Sequence, residues 1–174
     1  MRTIAVMIGI FMIAGCVSAP RNVTVVDDFD LDRYLGTWYE IARLDHRFER
    51  GLSDVSATYT KRSDGGIDVL NRGFNPQTNS WKEAKGRAYP VGEPGQASLK
   101  VTFFWPFYAG YNVIELDREA YQYALVCGPS KKYLWILARS KELEEAVLSQ
   151  LLAKAKEYGF NTEELIFVKH GESD

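Results

Sequence analysis

Cysteine and histidine are scarce in this chain. Two cysteines, Cys16 and Cys127, and two histidines, His46 and His170, stand among 174 residues, and neither histidine lies beside a cysteine or a ligand-spaced carboxylate. That excludes a disulfide-dense scaffold and gives no support to a metal site. A catalytic cysteine needs a nearby base, so Cys127, within Tyr123-Ala124-Leu125-Val126-Cys127, reads as a small buried hydrophobe. Charge of one sign is also lacking. The 21 Lys and Arg and 23 Asp and Glu are mixed along the chain, net charge -2, with no basic field to suit a phosphate backbone, so no nucleic-acid partner is expected. No glycine-rich phosphate loop or dinucleotide fingerprint occurs, and no cofactor is expected. Ser53 and Asp54 follow His46, but neighbours on one irregular loop do not make a Ser-His-acid arrangement, so catalysis is not expected either.

Aromatic residues are what the chain has in excess. Ten Tyr, nine Phe and four Trp fit either a β-rich domain or an apolar cavity walled by rings. With 46% hydrophobic residues, 174 positions leave room for one domain with a sizeable core. The longest apolar run, residues 4–13, follows Arg2 and ends in Ala14-Gly15-Cys16. A basic start, a short apolar run and small residues before a cut describe a secretory signal peptide, too short to span a bilayer as a mature helix. Its ending resembles the lipobox of bacterial lipoproteins. That resemblance implies acylation of Cys16 as the mature first residue and, with Val17 rather than Asp next to it, sorting to the bacterial outer membrane. Residues 1–15 are then the signal peptide, 16–29 a lipidated N-terminus and tether, and 30–174 a single domain. A lipidated Cys16 leaves Cys127 without a disulfide partner, so that domain must be stable by packing alone.

The chain is organised around Asp32-Arg33-Tyr34-Leu35-Gly36-Thr37-Trp38-Tyr39-Glu40-Ile41-Ala42-Arg43. Gly36 permits a tight turn or close backbone approach, and Trp38 delivers an apolar plate at the first residues of a strand, as the closed end of a barrel requires. Trp38 as an ordinary core residue is the alternative. Asp30 can cap one helical turn that Gly36 ends. Alternating segments follow at 38–44, 55–62, 67–74, 81–89, 97–103, 111–116, 121–127 and 133–138, with an aromatic knot at 104–108. Their separators, such as Ser63-Asp64-Gly65-Gly66 and Asn75-Pro76-Gln77-Thr78-Asn79, carry turn chemistry and are too short for a crossover helix. Neighbours should therefore pair antiparallel, and eight strands joined that way can close and remove both edges. The first connection, 45–54, is long for a hairpin and holds Phe48 between charges; it is either a lid over a cavity mouth or a surface loop.

The period then changes. Leu143, Val147, Leu151 and Ala155, broadened by Leu148 and Leu152, predict a helix over 141–158, capped by Ser140 and stopped by Gly159, lying on the outside of the sheet. Leu165-Ile166-Phe167-Val168 predicts a short ninth strand, and 169–174 a polar tail. The expected fold is all-β: an eight-stranded antiparallel up-and-down barrel with one C-terminal helix packed outside.

Headed by Gly36-Thr37-Trp38, this order of elements resembles the lipocalin family. Asp117 with the later Tyr123-Ala124 resembles the family's second conserved region, although Leu116 and Arg118 depart from its Thr-Asp-Tyr pattern, and Arg139 after Ile136-Leu137-Ala138 stands at the third. The resemblance covers residues 30–168 and, with the lipobox, is close to the bacterial outer-membrane lipocalin lipoproteins. It implies that Arg139 packs across Trp38 beside Gly36 as the barrel floor, and that the domain is held at the outer membrane facing the periplasm.

The interior of such a barrel takes one small ligand. If Trp38 faces in, Glu40 and Ala42 share its side, and Val55, Ala57 and Tyr59 with Leu99, Val101 and Phe103 are the inward sets of their strands. The resemblance implies that Tyr111, Val113 and Glu115, and Trp135 and Leu137, also point inward. On the seventh strand either Ala124 and Val126 or Tyr123 and Leu125 line the cavity. Ala42, Ala57, Tyr59, Val101, Phe103, Tyr111, Val113, Trp135 and Leu137 are thus the expected ligand contacts. Related bacterial proteins bind fatty acids and lysophospholipids, which makes an amphiphilic lipid the expected partner. Two other readings stay open: a lipid-modifying enzyme using Glu40 and Glu115 as paired carboxylates, and a partner-binding lipoprotein in which the 104–108 knot meets another protein, the membrane or a second subunit in a homodimer.

Overall fold

The computed structural model describes residues 17–171. After a short helix α1 (Leu31–Tyr34) the chain forms β1 (Gly36–Arg43), β2 (Ser53–Lys61), β3 (Ile67–Asn75), β4 (Ser80–Pro90), β5 (Ser98–Phe104), β6 (Phe107–Leu116), β7 (Tyr123–Cys127) and β8 (Leu134–Ala138). Helix α2 (Glu145–Glu157), a 3-10 turn (Thr162–Glu164) and β9 (Ile166–Phe167) follow. Each strand pairs antiparallel with the next, and β1 pairs with both β2 and β8, so the eight-stranded sheet closes on itself as a meander barrel. Short side chains set the turns. Asp64 accepts from the Gly66 N–H at 3.0 Å, Asn75 from Gln77 at 2.9 Å, and Asp117 from Glu119, Ala120 and Gln122, each at 3.2 Å.

One end of the barrel is closed by side chains. Asp30 caps α1 by accepting from the N–H of Asp32 at 2.9 Å and of Arg33 at 3.3 Å. Gly36, at φ +94°, turns the chain into β1 in a conformation that L side chains rarely adopt, and its missing Cβ admits the Arg139 guanidinium. That guanidinium lies 4.0 Å above the Trp38 ring and donates to the carbonyls of Thr37 at 3.0 Å, Arg33 at 2.9 Å and Tyr121 at 3.2 Å. The Trp38 indole donates to the Tyr34 carbonyl at 2.8 Å. Arg118, where the sequence departs from the family's second region, reaches back to Asp27 at 2.6 Å and holds the incoming chain under this floor.

Two bulges decide which residues face in. The register of β1 against β8 shifts between Glu40 and Ala42, and that of β6 against β7 shifts between Val113 and Glu115. Before the first bulge Trp38 faces the interior; after it Ala42 packs outside with Ile41, Leu125 and Leu151. The expectation that Ala42 shares the side of Trp38 fails for this reason. Glu115 fails likewise, because the bulge sets it opposite Leu125, a residue of the outer cluster, and Leu116 takes the inward place. On β7, Ala124 and Val126 belong to the inner cluster and Leu125 and Cys127 to the outer one, beneath α2.

The outer cluster is where α2 docks, through fully buried Leu151 and Ala155. The helix starts four residues later than its periodicity suggests, since Ser140 donates to the Glu142 carbonyl instead of capping a helical N–H and holds 140–144 in turns. Gly159, at φ +78°, ends it as expected. The aromatic knot continues the sheet. Phe104 pairs with Phe107, and β6 begins there, so the rings stand on a β5–β6 hairpin. Residues 169–171 are not a free tail. β2 pairs with β1 only from Gly36 to Tyr39, and above that β9 pairs with Ala42 and Arg43. There Asp54 donates its N–H to the Lys169 carbonyl at 2.9 Å and accepts from the Gly171 N–H at 2.7 Å, which fills the seam. Residues 17–29 lie against the barrel, with the Val26 N–H on the Val113 carbonyl at 2.9 Å and Phe29 packed on the inner cluster.

Replacing Arg139 with Ala removes three charge-assisted hydrogen bonds and a ring contact at a half-exposed site, and should lower unfolding free energy in urea by about 2 kcal/mol. Arg139→Lys should recover only part of it, since an ammonium cannot fork to three carbonyls.

Candidate functional site

The barrel interior above the floor is built from rings. Tyr34 stands on Trp38 at a centroid distance of 4.6 Å, Tyr59 stacks on Tyr34 at 5.8 Å, and Tyr111 meets Tyr59 edge-on at 6.1 Å. Their hydroxyls converge, with Tyr34 and Tyr111 2.7 Å apart and Tyr59 donating to Tyr111 at 3.1 Å. Burial pushes the Tyr34 and Tyr111 phenols well above the ordinary tyrosine value and Tyr59 up to about 12. The three therefore stay neutral and offer a polar row in the barrel interior, with the Glu49 and Glu40 carboxyls near enough to act on Tyr59.

Around that row stand most of the residues expected to meet ligand. Tyr59, Val113 and Leu137 are buried in the inner cluster, and Ala57, Val101, Tyr111 and Trp135 are half-buried against it. Phe103 shares the inward phase of Leu99 and Val101 but is 37% exposed, lying over Gly86, where any Cβ would collide with its ring. Toward the mouth β4 is exposed from Ser80 to Lys85 on both faces, so the wall there is open on its inner side. Two clefts of about 340 and 320 Å³ lie outside the barrel, one beneath the floor around Phe29, Leu31 and Pro94, the other between the β6–β7 turn and the start of α2.

Opposite the open wall sits a buried cluster of charges that sequence reasoning did not assemble. Arg43 Nη1 donates to Glu40 Oε1 at 2.7 Å, and Arg43 Nη2 donates to the Glu49 carbonyl at 2.7 Å. Glu49 comes from the 45–52 loop, and its carboxylate accepts from Trp135 Nε1 at 3.2 Å and lies 3.0 Å from His46 Nε2. The His46 ring packs edge-on against Trp135 at 5.2 Å. The loop is thus a flap latched into the barrel, with Phe48 left 67% exposed outside. Glu40 was legible from its phase with Trp38. Arg43 was not, because the bulge carries it inward three residues later, and His46 and Glu49 sit on a loop that has no periodicity to read.

Burial, followed by the neighbouring Glu49 carboxylate, pushes the Glu40 carboxyl well above the ordinary glutamate range, against the opposing pull of Arg43. Burial raises Glu49 as well, but its contacts with His46 and the hydrogen bonds from Trp135 and Glu40 outweigh it and hold that carboxyl below the ordinary value. The two carboxyls are thus pushed in opposite directions, Glu40 toward holding its proton and Glu49 toward its charge. Glu115 lies on the other side of the barrel wall, so the two carboxylates weighed as an acid–base pair share no cavity. Cys127 is buried, its thiol pushed up to about 12 by desolvation, which leaves it inert. Among the described residues no group of three His, Cys, Asp or Glu could hold a metal ion. Cys16 and the leader fall outside the described residues.

Comparison with known proteins agrees with this geometry. The lipocalin-like domain family matches residues 29–170. The chain is 54% identical over 168 residues to the outer membrane lipoprotein Blc of Citrobacter freundii, covering 95% of this chain and 94% of that protein. It is 55% identical over 161 residues to the protein of the same name from Escherichia coli (strain K12), covering 91% and 90%. Among solved structures, insecticyanin from the tobacco hornworm Manduca sexta shares the fold with a TM-score of 0.72 at 23% identity, covering 89% of this chain and 87% of that one.

The Glu40 assignment has a measurable sign. A carboxyl whose value is raised by folding stabilises the fold below its unfolded value and loses that contribution as pH rises through the raised one. Wild-type Tm should therefore fall as pH rises above the ordinary glutamate range, relative to Glu40→Gln, whose side chain keeps an acceptor for Arg43 and a donor for Glu49. Parallel Tm–pH profiles for the two proteins would remove the raised Glu40 value.

Proposed function

This chain belongs to the lipocalin family, and from that premise we propose that it binds amphiphilic lipids, fatty acids and lysophospholipids, in its barrel and stores or moves them at the bacterial outer membrane, to which Cys16 anchors it. The interior carries the reading. Aliphatic Val101, Val113 and Leu137 with the ring of Trp135 offer an acyl chain a dry wall, and the neutral hydroxyls of Tyr59 and Tyr111 give a head group or carboxyl something to meet. Burying an acyl chain contributes about 0.8 kcal/mol per CH2 before the cost of association, so several methylenes suffice for micromolar affinity. Ala57 and Phe103 complete the wall, one low on β2 and one near the mouth.

The leader and its Ala14-Gly15-Cys16 ending support the anchor, as does similarity to proteins named outer membrane lipoproteins. No helix among the described residues is long and apolar enough to cross a membrane, and acyl chains on one residue supply attachment without one. The domain then faces the periplasm.

The chain from residue 17 onward, purified and delipidated, should bind a fatty acid or a lysophospholipid saturably at one to one, read by quenching of Trp135 and by native mass spectrometry. Val101→Trp, which fills the chamber, should weaken that binding at least about tenfold, equivalent to about 1.4 kcal/mol. Absence of saturable binding for both lipid classes would sink the carrier reading and shift the weight to a partner-binding lipoprotein.

A further inference from the structure

All eight exposed large hydrophobic side chains among the described residues lie in the mouth half of the barrel. Phe104, Trp105 and Phe107, at 78%, 81% and 78% exposure, form the tip of the β5–β6 hairpin, and Phe48 stands on the flap across the mouth from it. Exposed cations share that end: Arg47 beside Phe48, Lys82 at the start of β4, and Lys131 and Lys132 in the turn between β7 and β8. Asp45 there is paired with Arg50 at 2.6 Å. The floor end carries no such rings; its surface is charged and self-paired, Lys61 with Asp32 and Arg62 with Asp64. Rings at the tip with cations around them are the composition of a surface that settles at the level of lipid head groups.

The path of the N-terminal chain says which surface this is. Val17 lies on the outer face of β6, where its carbonyl accepts from Asn112 Nδ2 at 3.3 Å and fills the space a side chain on Gly110 would need. Gly110 is three residues from Phe107, ~10 Å along the strand. Val17, the residue after the anchoring Cys16 in sequence, thus meets the barrel wall in its mouth half and not at the floor. A single apolar lip would let the barrel lie on its side; lips on opposite sides of the mouth specify an end-on stance.

We propose that the barrel stands mouth-down on the leaflet that holds its anchor, with the β5–β6 hairpin and Phe48 seated among the head groups, so that an amphiphile passes between leaflet and chamber without crossing water. This rests on the lipid-anchored reading above and adds the orientation of the entrance. A second copy of the chain is the competing occupant of the same rings.

The full-length lipoprotein, purified from membranes and reconstituted through its own anchor into phosphatidylethanolamine–phosphatidylglycerol vesicles, tests it. Emission from Trp105 is taken as the difference between wild type and Trp105→Phe, with and without lipids brominated in the acyl chain. Loss of that difference with brominated lipid, and a blue shift on reconstitution, are expected. Trp105 emission that keeps its solvent-exposed wavelength and is not quenched overturns the proposal. A blue shift without quenching, accompanied by crosslinking between copies, assigns the hairpin to a dimer and overturns it as well. A mass showing no acyl chain on Cys16 removes the tether and overturns the orientation together with the anchor. A quenched Trp105 on a barrel that loads neither fatty acid nor lysophospholipid leaves the orientation standing and fails only the carrier reading.

Discussion

Everything in this molecule depends on β1 serving three neighbours at once. A meander of eight strands leaves two edges, which its first and last strands must join, so β1 pairs with β2 from Gly36 to Tyr39, with β8 from Tyr39 to Arg43, and with β9 at Ala42 and Arg43. The bulge after Glu40 makes that sharing possible, because the added residue bends and twists the strand away from β2 at the height where β9 takes over. Closure at the base is then finished by side chains. Arg139 ties the ends of β1, β8 and the β6–β7 turn to one indole.

The same bulge brings a cation into the barrel. A buried Arg43 costs free energy unless it is paired, and the chain answers with the Glu40 carboxyl on the strand and the Glu49 backbone carbonyl on the flap. The result joins the flap to the wall through contacts that a solvent-exposed loop lacks. It also explains why a long loop full of charges packs tightly. Its acidic residue supplies what the buried guanidinium and the Trp135 indole would otherwise miss.

From base to mouth, chemistry is therefore graded: a sealed aromatic floor, a chamber of aliphatic wall and neutral phenols, a latched flap on one side and open wall on the other, and a rim of exposed rings. That gradient suits a ligand with a long apolar part and a polar end, entering from an apolar surface. Among the described residues no group of three or more His, Cys, Asp or Glu could hold a metal ion.

Much of this was legible without coordinates. Alternation and turn residues announced eight antiparallel strands and the four-residue period announced the helix, because each is a local consequence of backbone geometry; the floor of Gly36, Trp38 and Arg139 was implied by the resemblance to the lipocalin family. What tertiary structure alone decided begins at the bulges. Period-two reasoning assumes an unbroken ladder, and one added residue exchanges the faces of everything beyond it; Ala42 and Glu115 moved outside and Arg43 inside for that reason. Whether a bulge forms depends on the register of a partner strand far away in sequence. Side chains on the aperiodic 45–52 loop, and the rings of the β5–β6 hairpin, likewise acquired their neighbours only once the barrel closed. The sequence by itself determined the elements, their order and the closed sheet; which residues share a chamber was settled by long-range pairing, which no local pattern encodes.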